Sequence, residues 1–443
     1  MTPPHVLFGL DPLWVSSALL VATYGAIMTE KLNRVIVVGI GAGLMILSGV
    51  LSQDEAIRGV DFNTIALLAG MMLIVGITRR SGVFQYVAIW STKLVGASPA
   101  GVLALLAVVT AVISALLDNV TTVLLMVPVT LVVTQELEVP PYPFLFAEVF
   151  ASNLGGTATL IGDPPNIMIG SAAGLTFNDF VVNLTPVIVV TMLVQLAALQ
   201  LIWGRRLHTS VENRARVMAM DPRVAITDWR LLGQSLAVLF TVLVAFVFQR
   251  ALHLQPGTIA VFGATVLLLL DSWWRTSEEQ THHVHSSLSD LEWITLFFFV
   301  GLFVVVAGVE RAGLLRILAQ KALVLTGGDF NVLAVVILWV SAVLSAVIDN
   351  IPFVVTMIPL VKELGPSFGG AAHLLPLWWA LSLGACLGGN GTLIGASANL
   401  TVAGIAERKG VRFSFWTYTR TAFPLMLLTV AIAHLYLYLR YLR

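Results

Sequence analysis

The sequence predicts an all-α polytopic membrane protein built from two repeats of opposite topology. Of its 443 residues, 58% are hydrophobic and 11% are charged, and the mean hydropathy is +0.93. Soluble proteins carry about 25% charged residues. Many apolar runs reach the length of about 20 residues that crosses a bilayer as a helix. In addition, two polar motifs occur twice along the chain.

The duplicated motifs define the repeats. SALLDNVTTVLLMVP at residues 114–128 corresponds to SAVIDNIPFVVTMIP at 345–359, an offset of 345 − 114 = 231. GGTATLIGDPPN at 155–166 corresponds to GGNGTLIGASAN at 388–399, an offset of 388 − 155 = 233. Polar motifs that contain Gly and Pro and recur inside an apolar chain are typical of secondary transporters.

Ten apolar runs are predicted to be full spans. They lie near residues 13–28, 34–51, 62–78, 143–171, 180–203, 231–250, 256–270, 291–309, 374–405 and 415–438. The span 143–171 contains a glycine pair and a Pro-Pro pair, and 374–405 contains a glycine pair. Because Gly and Pro weaken or interrupt helices, we predict that both spans are broken helices.

Two further apolar stretches, 100–135 and 331–363, are each split near the middle by Asp-Asn. Each leg is short for a full crossing. We therefore expect re-entrant helical hairpins with polar tips at membrane depth. Such backbone is tolerated only where protein or a watery cavity covers it.

The number of spans gives the topology. Five spans plus one hairpin per half make an odd number of crossings, so the second half is inverted. We divide the chain into a first transmembrane repeat at 1–204, a linker at 205–230 and a second repeat at 231–443. The linker carries Arg205, Arg206, Arg214, Arg216, Arg223 and Arg230. This basic segment is predicted to be cytoplasmic, and loop 271–290 is then on the same side.

Three acids in the duplicated motifs are candidates for proton coupling: Asp118 and Asp349 at the hairpin tips and Asp163 at the first helix break. A carboxylate costs about 2.5–3.5 kcal/mol at the bilayer centre on insertion scales, so those retained there are usually functional. The alternative is that each Asp only caps a helix, and we give it more weight for Asp163 because Asp-Pro-Pro makes a good helix start. Glu148 is predicted to be a proton relay or to face the cytoplasmic vestibule.

Neutral groups of the same motifs are predicted to hold the solute or satisfy broken backbone. The full predicted solute- and ion-binding set is Asp118, Asn119, Thr121, Thr122, Asn153, Gly156, Thr157, Thr159, Asp163, Asn166, Asp349, Asn350, Gly389, Asn390, Thr392 and Asn399.

No metal site and no cofactor are predicted. The single Cys386 excludes a site with several thiolates, and we expect it to be a small packing residue. His282, His283 and His285 fit a solvated loop better than a metal site. Lys plus Arg and Asp plus Glu number 24 each, so the sequence lacks the excess of basic residues that is typical of nucleic-acid-binding proteins.

These motifs resemble those of the ion transporter superfamily, which includes arsenite permeases, NhaD-type sodium/proton antiporters, the melanosomal P protein and dicarboxylate/citrate carriers. The similarity extends over about the whole chain. Asp-Asn at both tips is most similar to the branch of arsenite permeases, NhaD-type antiporters and the P protein, since dicarboxylate carriers typically have Ser-Asn-Thr there. The resemblance implies a proton- or sodium-coupled carrier, commonly a homodimer, with a moving transport domain. It leaves open whether an arsenite-stimulated ATPase is a partner.

The charge of the motifs bears on the substrate. They contain up to three acids and no Lys or Arg, which disfavours citrate-like anions. We predict proton-coupled efflux of arsenite or antimonite, which are uncharged hydroxides at neutral pH, across the inner membrane by alternating access. The alternatives are sodium/proton antiport, a di- or tricarboxylate carrier and a passive anion channel. An enzyme is disfavoured, because no nucleophile–base pair or cofactor loop is present.

Overall fold

The structure, a computed structural model, describes Val6 and residues 9–29 and 31–443, and these residues form helices and turns without strands. The first half contains α1 (Pro12–Met28), α2 (Arg34–Leu47), α3 (Gln53–Gly59), α4 (Phe62–Arg79), α5 (Val83–Leu94), α6 (Pro99–Leu116), α7 (Asn119–Glu136), α8 (Tyr142–Thr157), α9 (Pro164–Ala173) and α10 (Phe177–Ile202). The linker contains α11 (Val211–Ala219). The second half contains α12 (Trp229–Val247), α13 (Gln249–Leu252), α14 (Pro256–Ser272), α15 (Ser277–Ser289), α16 (Trp293–Ala312), α17 (Leu314–Leu325), α18 (Phe330–Ser345), α19 (Asn350–Glu363), α20 (Leu375–Gly388), α21 (Ser397–Arg408) and α22 (Phe415–Tyr441).

The two halves match element for element. Helices α1 to α10 correspond to α12 and α14 to α22, and the short α13 is an insertion. Packing between the halves is reciprocal: α4 packs against α14 as α16 packs against α2, and α7 contacts α21 as α19 contacts α9. A pair of repeats related by a two-fold axis packs in this way. Their opposite orientation in the bilayer stays a prediction.

Every predicted span falls on one or two helices. Within the described residues, eight helices are long and apolar enough to cross a membrane, or nine if α17 and α18, which meet at 118°, form one span. The sequence did not reveal α3, α5, α11, α15 and α17, because these shorter helices lie outside the long apolar runs.

Both predicted hairpins are present, although the first has longer legs than expected. Helices α6 and α7 have 18 residues each, whereas α18 and α19 have 16 and 14. By length and composition, each leg of the first hairpin suffices for a crossing, so the expectation of short legs was wrong there. The re-entrant course of the hairpins stays a prediction. Both turns contain Asp-Asn, as predicted.

The linker holds both ends of the first hairpin. Asn213 Nδ2 donates to the carbonyl of Leu137, which follows α7, at 3.3 Å. Arg214 Nη2 donates to the carbonyl of Gly96, which precedes α6, at 2.8 Å. The hairpin therefore enters and leaves at the linker's end of the molecule.

Loop 271–290 lies at the same end as the linker. Arg80 pairs with Asp290 of this loop at 2.7 Å, and the carbonyl of Arg80 accepts a hydrogen bond from Thr227 of the linker. The topology argument placed both segments on one side, and these contacts agree with it.

The broken helices pack backbone to backbone against the hairpins. A Cβ added at Gly155 in α8 would lie 2.0 Å from the carbonyl oxygen of Ala111 in α6. At the corresponding Gly388 in α20, a Cβ would lie 2.4 Å from the carbonyl oxygen of Ala342 in α18. Glycine is therefore needed at both positions for the close approach that holds each hairpin against its broken helix.

Candidate functional site

Four helix N-termini surround a small central cavity. The starts of α7, α9, α19 and α21 supply Asp118, Asn119, Asp163, Asn350 and Ser397 to its wall. The cavity measures about 20 Å³, and about 10–15 Å³ suffices for one water molecule. Helix N-termini carry partial positive charge, so this arrangement stabilises carboxylates and other electronegative groups in the cavity.

Asp163 is the acid at the centre of the site. Its side chain is fully buried. Asn119 Nδ2, at the tip of the first hairpin, lies 3.3 Å from Asp163 Oδ1, and Asn350 Nδ2, at the tip of the second, lies 3.5 Å from both oxygens. One carboxylate thus contacts both repeats.

The three motif acids play different structural roles. The carboxylates of Asp118 and Asp349 cap their own helices by accepting from Thr121 N at 2.8 Å and Ile351 N at 3.0 Å. Asp163 precedes α9 but makes no side-chain capping bond. Capping is therefore observed for both tip acids and not for Asp163, the reverse of the weight given from the sequence. Asp349 also accepts from Ser397 Oγ at 2.8 Å, and proton exchange at any of the three acids stays a prediction.

Asn166 and Asn399 satisfy broken backbone. The amide of Asn166 donates to the carbonyls of Thr157 and Thr159 at 3.0 and 2.9 Å. The amide of Asn399 donates to the carbonyls of Gly389 and Thr392 at 2.8 and 2.9 Å. These two amide groups are consequently already used within the fold.

Asn153 joins the two broken helices directly. Its Nδ2 donates to Asn390 Oδ1 and Asn399 Oδ1, both at 2.9 Å, and its Oδ1 accepts from Asn119 at 3.1 Å. Ser382 Oγ adds a second link by donating to Asn166 Oδ1 at 2.6 Å. The breaks of both repeats therefore form one hydrogen-bonded unit.

The predicted threonines bond mostly to nearby backbone carbonyls. Thr122 donates to Asp118 at 2.9 Å, Thr157 to Asn153 at 2.6 Å, and Thr159 to Ala115 at 2.5 Å. Thr392 donates to Ala346, as its counterpart Thr159 does to Ala115. Thr121 lines a larger neighbouring cavity.

Two of the predicted site glycines are needed for close packing. A Cβ at Gly156 would lie 2.5 Å from Gly162 O, and a Cβ at Gly389 would lie 2.9 Å from Gly395 O. Any solute contact by these threonines and glycines stays a prediction.

Glu148 does not face a vestibule. It is fully buried in α8 and accepts a hydrogen bond from Thr130 of α7, while its Oε2 has no described partner. That alternative from sequence was therefore wrong, and the relay role stays a prediction.

Cys386 is buried between the broken helices, with Sγ 3.8 Å from Asn166 Oδ1. In loop 271–290, His283 Nδ1 lies 3.3 Å from Asp271 Oδ2.

Arg34 was missed from the sequence and corrects the prediction of an acid-only site. It begins α2, and its Nη1 lies 3.7 Å from Asp349 Oδ2 and 2.8 Å from Ser397 Oγ. Its guanidinium also lies 5.0 Å from the ring centroid of Phe298. No duplicated motif contains Arg34, so no sequence signal connected it to the site.

Glu292 was also missed, although a signal was present. It precedes α16 and lines the central cavity. Asp61 precedes the equivalent helix α4, and the offset of 292 − 61 = 231 equals that of the hairpin motifs. An acid at the start of both helices would have added these positions to the candidates.

Three larger cavities surround the site. The large vestibule, of about 720 Å³, is lined by Arg34, Glu292 and Asp349 among others. The linker-side vestibule, of about 460 Å³, contains Arg80 and Glu292. The far-side vestibule, of about 290 Å³, contains Asp61 at the opposite end of α4. Open space therefore exists near both ends of α4.

Comparison with known proteins identifies the family. The model of a family described as citrate transporter, CitMHS, matches residues 24–384. The chain belongs to this family. The predicted resemblance to the ion transporter superfamily is thereby confirmed.

Two relatives illustrate the similarity. An uncharacterized transporter of Mycobacterium tuberculosis is 44% identical over 431 residues, covering 96% of this chain and 98% of its own. The human P protein is 33% identical over 506 residues, covering 96% of this chain and 59% of its own length. The prediction of a multi-pass membrane transporter is confirmed by these matches and by the candidate spans.

Two solved structures share the fold. The YdaH transporter of Alcanivorax borkumensis aligns with a TM-score of 0.56 over 98% of this chain and 99% of its own, at 14% identity. MtrF of Neisseria gonorrhoeae aligns with a TM-score of 0.57 over 98% of this chain and 95% of its own, also at 14% identity. Likeness at this identity shows the fold alone. The all-helical transporter architecture predicted from sequence is confirmed.

Proposed function

We propose that this chain is a proton-coupled secondary active transporter that exports a small uncharged hydroxylated solute of the arsenite or antimonite class across the inner membrane. The single observation that carries the proposal is the buried carboxylate of Asp163 between amide donors from both hairpin tips.

Asp163 is the proposed proton carrier. A buried carboxylate without a cation in contact has a high desolvation cost when charged, so protonation is a favourable way to neutralise it. The hydrogen-bond partners described for its carboxylate are neutral: the amides of Asn119 and Asn350 and the thiol of Cys386. Proton binding and release at Asp163 would therefore change the charge of the whole cavity.

The charge of the cavity supports an uncharged solute. Asp118, Asp163 and Glu292 line it together with the single cation Arg34, which is already next to Asp349. A di- or tricarboxylate would add negative charge to an acidic cavity. Arsenous acid is neutral, and once movement of a hairpin tip enlarges the cavity beyond its present volume of about 20 Å³, its three hydroxyls could donate to Asp163 and accept from the amides of Asn119 and Asn350.

The proposed mechanism is alternating access, and the contacts of both hairpins with this one site support it. In this mechanism, movement of either tip would break its amide contact with Asp163 and open the cavity toward one vestibule. Each proton carried inward at 100 mV supplies about 2.3 kcal/mol. That energy would drive export of the solute.

Transport in everted membrane vesicles tests the proposal. We expect arsenite uptake to rise when the vesicle interior is acidified and to disappear in Asp163→Asn. Arsenite flux that does not change when a pH gradient is imposed contradicts proton coupling. A sodium-dependent proton movement without arsenite transport supports sodium/proton antiport instead, and flux beyond carrier turnover rates supports a channel.

A carboxylate carrier is the second candidate, because Arg34 contacts the site and the family model is described as a citrate transporter. The second candidate replaces the first if the unsubstituted protein transports citrate but not arsenite, and if Arg34→Gln abolishes the citrate uptake. A homodimer and an ATPase partner remain expectations, and cross-linking and co-purification would test them.

A further inference from the structure

Glu292 lies where three cavities meet. Its side chain lines the central cavity, the large vestibule and the linker-side vestibule. Asp163 lines the central cavity as well, so these two acids share one small space. Glu292 therefore connects the buried site with the two larger cavities.

The carboxylate of Glu292 has few described hydrogen-bond partners. The hydrogen bond described for it comes from Thr295 Oγ1 at 3.1 Å, and it makes no side-chain bond to the start of α16. Its repeat counterpart Asp61 accepts from Asn63 N at 3.0 Å, Thr64 N at 3.2 Å and Thr64 Oγ1 at 2.7 Å. Asp61 is fixed as a helix cap, whereas Glu292 is free to change partners.

The charged groups around Glu292 differ between its two sides. In the central cavity it shares the wall with Arg34, Asp118 and Asp163. In the linker-side vestibule it shares the wall with Arg79, Arg80 and Asp290, and in the large vestibule with Asp349. Glu292 thus stands between an acidic cavity and a wider one that contains two arginines.

The size of the central cavity permits a short transfer. Its volume of about 20 Å³ has room for about one water molecule. Proton transfer through one water is within the reach of a positioned acid–base pair.

We propose that Glu292 relays the coupling proton between Asp163 and the linker-side vestibule. The inference rests on the proposed function and names the path of its proton. The proton leaves the Asp163 carboxyl, passes through one water to the Glu292 carboxylate, and then leaves to water in the vestibule. Only O–H bonds form and break, and both carboxylates end ionised.

Infrared spectroscopy after a pH jump tests the relay without any solute. The purified protein is measured in lipid nanodiscs. The carbonyl band that is present in the unsubstituted protein and missing in Asp163→Asn is assigned to protonated Asp163. In Glu292→Gln we expect the same final band, reached at least about tenfold more slowly, since positioned acid–base groups contribute about 10²–10⁴-fold. The matched control Asp61→Asn should retain the rate of the unsubstituted protein.

Each outcome decides the relay. A Glu292→Gln band that rises as fast as in the unsubstituted protein overturns it. A band that is missing at equilibrium in Glu292→Gln also overturns it, because Glu292 would then set the charge of Asp163. If the relay is supported but arsenite moves no protons in liposomes containing the unsubstituted protein, the proposed substrate fails and the proton path stands.

Discussion

Asp163 differs from the hairpin-tip acids in what its carboxylate contacts. The tip acids accept backbone N–H groups of their own helices, whereas Asp163 faces Asn119 and Asn350 from two different hairpins. Helix capping is a local, structural reason for an acid at each hairpin tip, and it requires no role in transport. A central carboxylate with amide partners from both hairpin tips has no such local explanation, and for this reason we propose Asp163 as the proton carrier.

Asp163→Asn removes this exchangeable proton while keeping the size of the side chain. We expect solute-driven proton movement to fall to background, measured with a pH-sensitive dye inside liposomes. Asp118→Asn is the control, because Asn is as good an N-cap as Asp and preserves the start of α7. Equal loss in both variants would contradict a special role for Asp163.

Asn399→Ala tests the capping of broken backbone. The substitution leaves the carbonyls of Gly389 and Thr392 without their amide donor, and an unsatisfied buried group costs about 1–3 kcal/mol. We expect a lower midpoint of thermal unfolding in detergent. Asn178→Ala, which removes an exposed amide bond to the carbonyl of Val247, should change the midpoint much less.

At the scale of elements, each hairpin depends on its contact with a broken helix. Gly155 in α8 approaches the backbone of α6, and Gly388 in α20 approaches that of α18. The hydroxyl of Ser114 donates to the carbonyl of Ser152 at 2.6 Å, and its counterpart Ser345 donates to Ala385 at 2.7 Å. The same contact is therefore built twice, from corresponding residues.

Gly155→Ala should separate α8 from α6. The added Cβ would lie 2.0 Å from Ala111 O, and overpacking of this kind costs about 1–3 kcal/mol. We expect a lower unfolding midpoint and reduced transport. In Gly404→Ala the added Cβ has no neighbour within 4 Å, and the midpoint should stay the same or rise, since losing a glycine stabilises helices by about 0.4–1 kcal/mol.

The duplicated motifs made the hairpins and the broken helices predictable. Helices and residues outside these motifs were harder to predict. Hairpins and helix breaks carry Asp-Asn, Gly and Pro, whose backbone preferences act locally. Helices α5 and α17 were missed because each has only 12 residues, interrupted by polar side chains, and is too short to be read as a span by itself. Arg34 reaches Asp349 only because α2 packs beside α16 and its first residue contacts Ser397 at the start of α21, and a distant contact of this kind has no local pattern.

At the scale of the whole molecule, the linker defines one end. It contacts Gly96 and Leu137 at the base of the first hairpin, and it contacts Arg80 beside loop 271–290. The sequence predicted this shared end because two full spans separate each segment from the linker: 143–171 and 180–203 follow the first hairpin, and 231–250 and 256–270 precede loop 271–290. This count is the same whether the hairpin is re-entrant or spans twice, which explains why the prediction survived the longer legs of the first hairpin.

Cysteine labelling in intact cells tests the topology. In a Cys386→Ala background, which has no other cysteine, we expect Ser210→Cys and Ser277→Cys to resist a membrane-impermeant maleimide. Gln255→Cys, beyond the far end of the 19-residue α12, should react. Labelling of Ser210→Cys from outside would reverse the proposed orientation, and labelling of Ser210→Cys and Ser277→Cys from different sides would break the topology itself.

The two halves share an architecture but not the central acid. The position corresponding to Asp163 in the second repeat is Ala396, because 396 − 163 = 233. If the protein alternates between two conformations as proposed, the two halves exchange environments, and we expect the energies of the two conformations to differ because the halves are unequal at this position. The resting state should then be biased to one side of the membrane before any gradient acts.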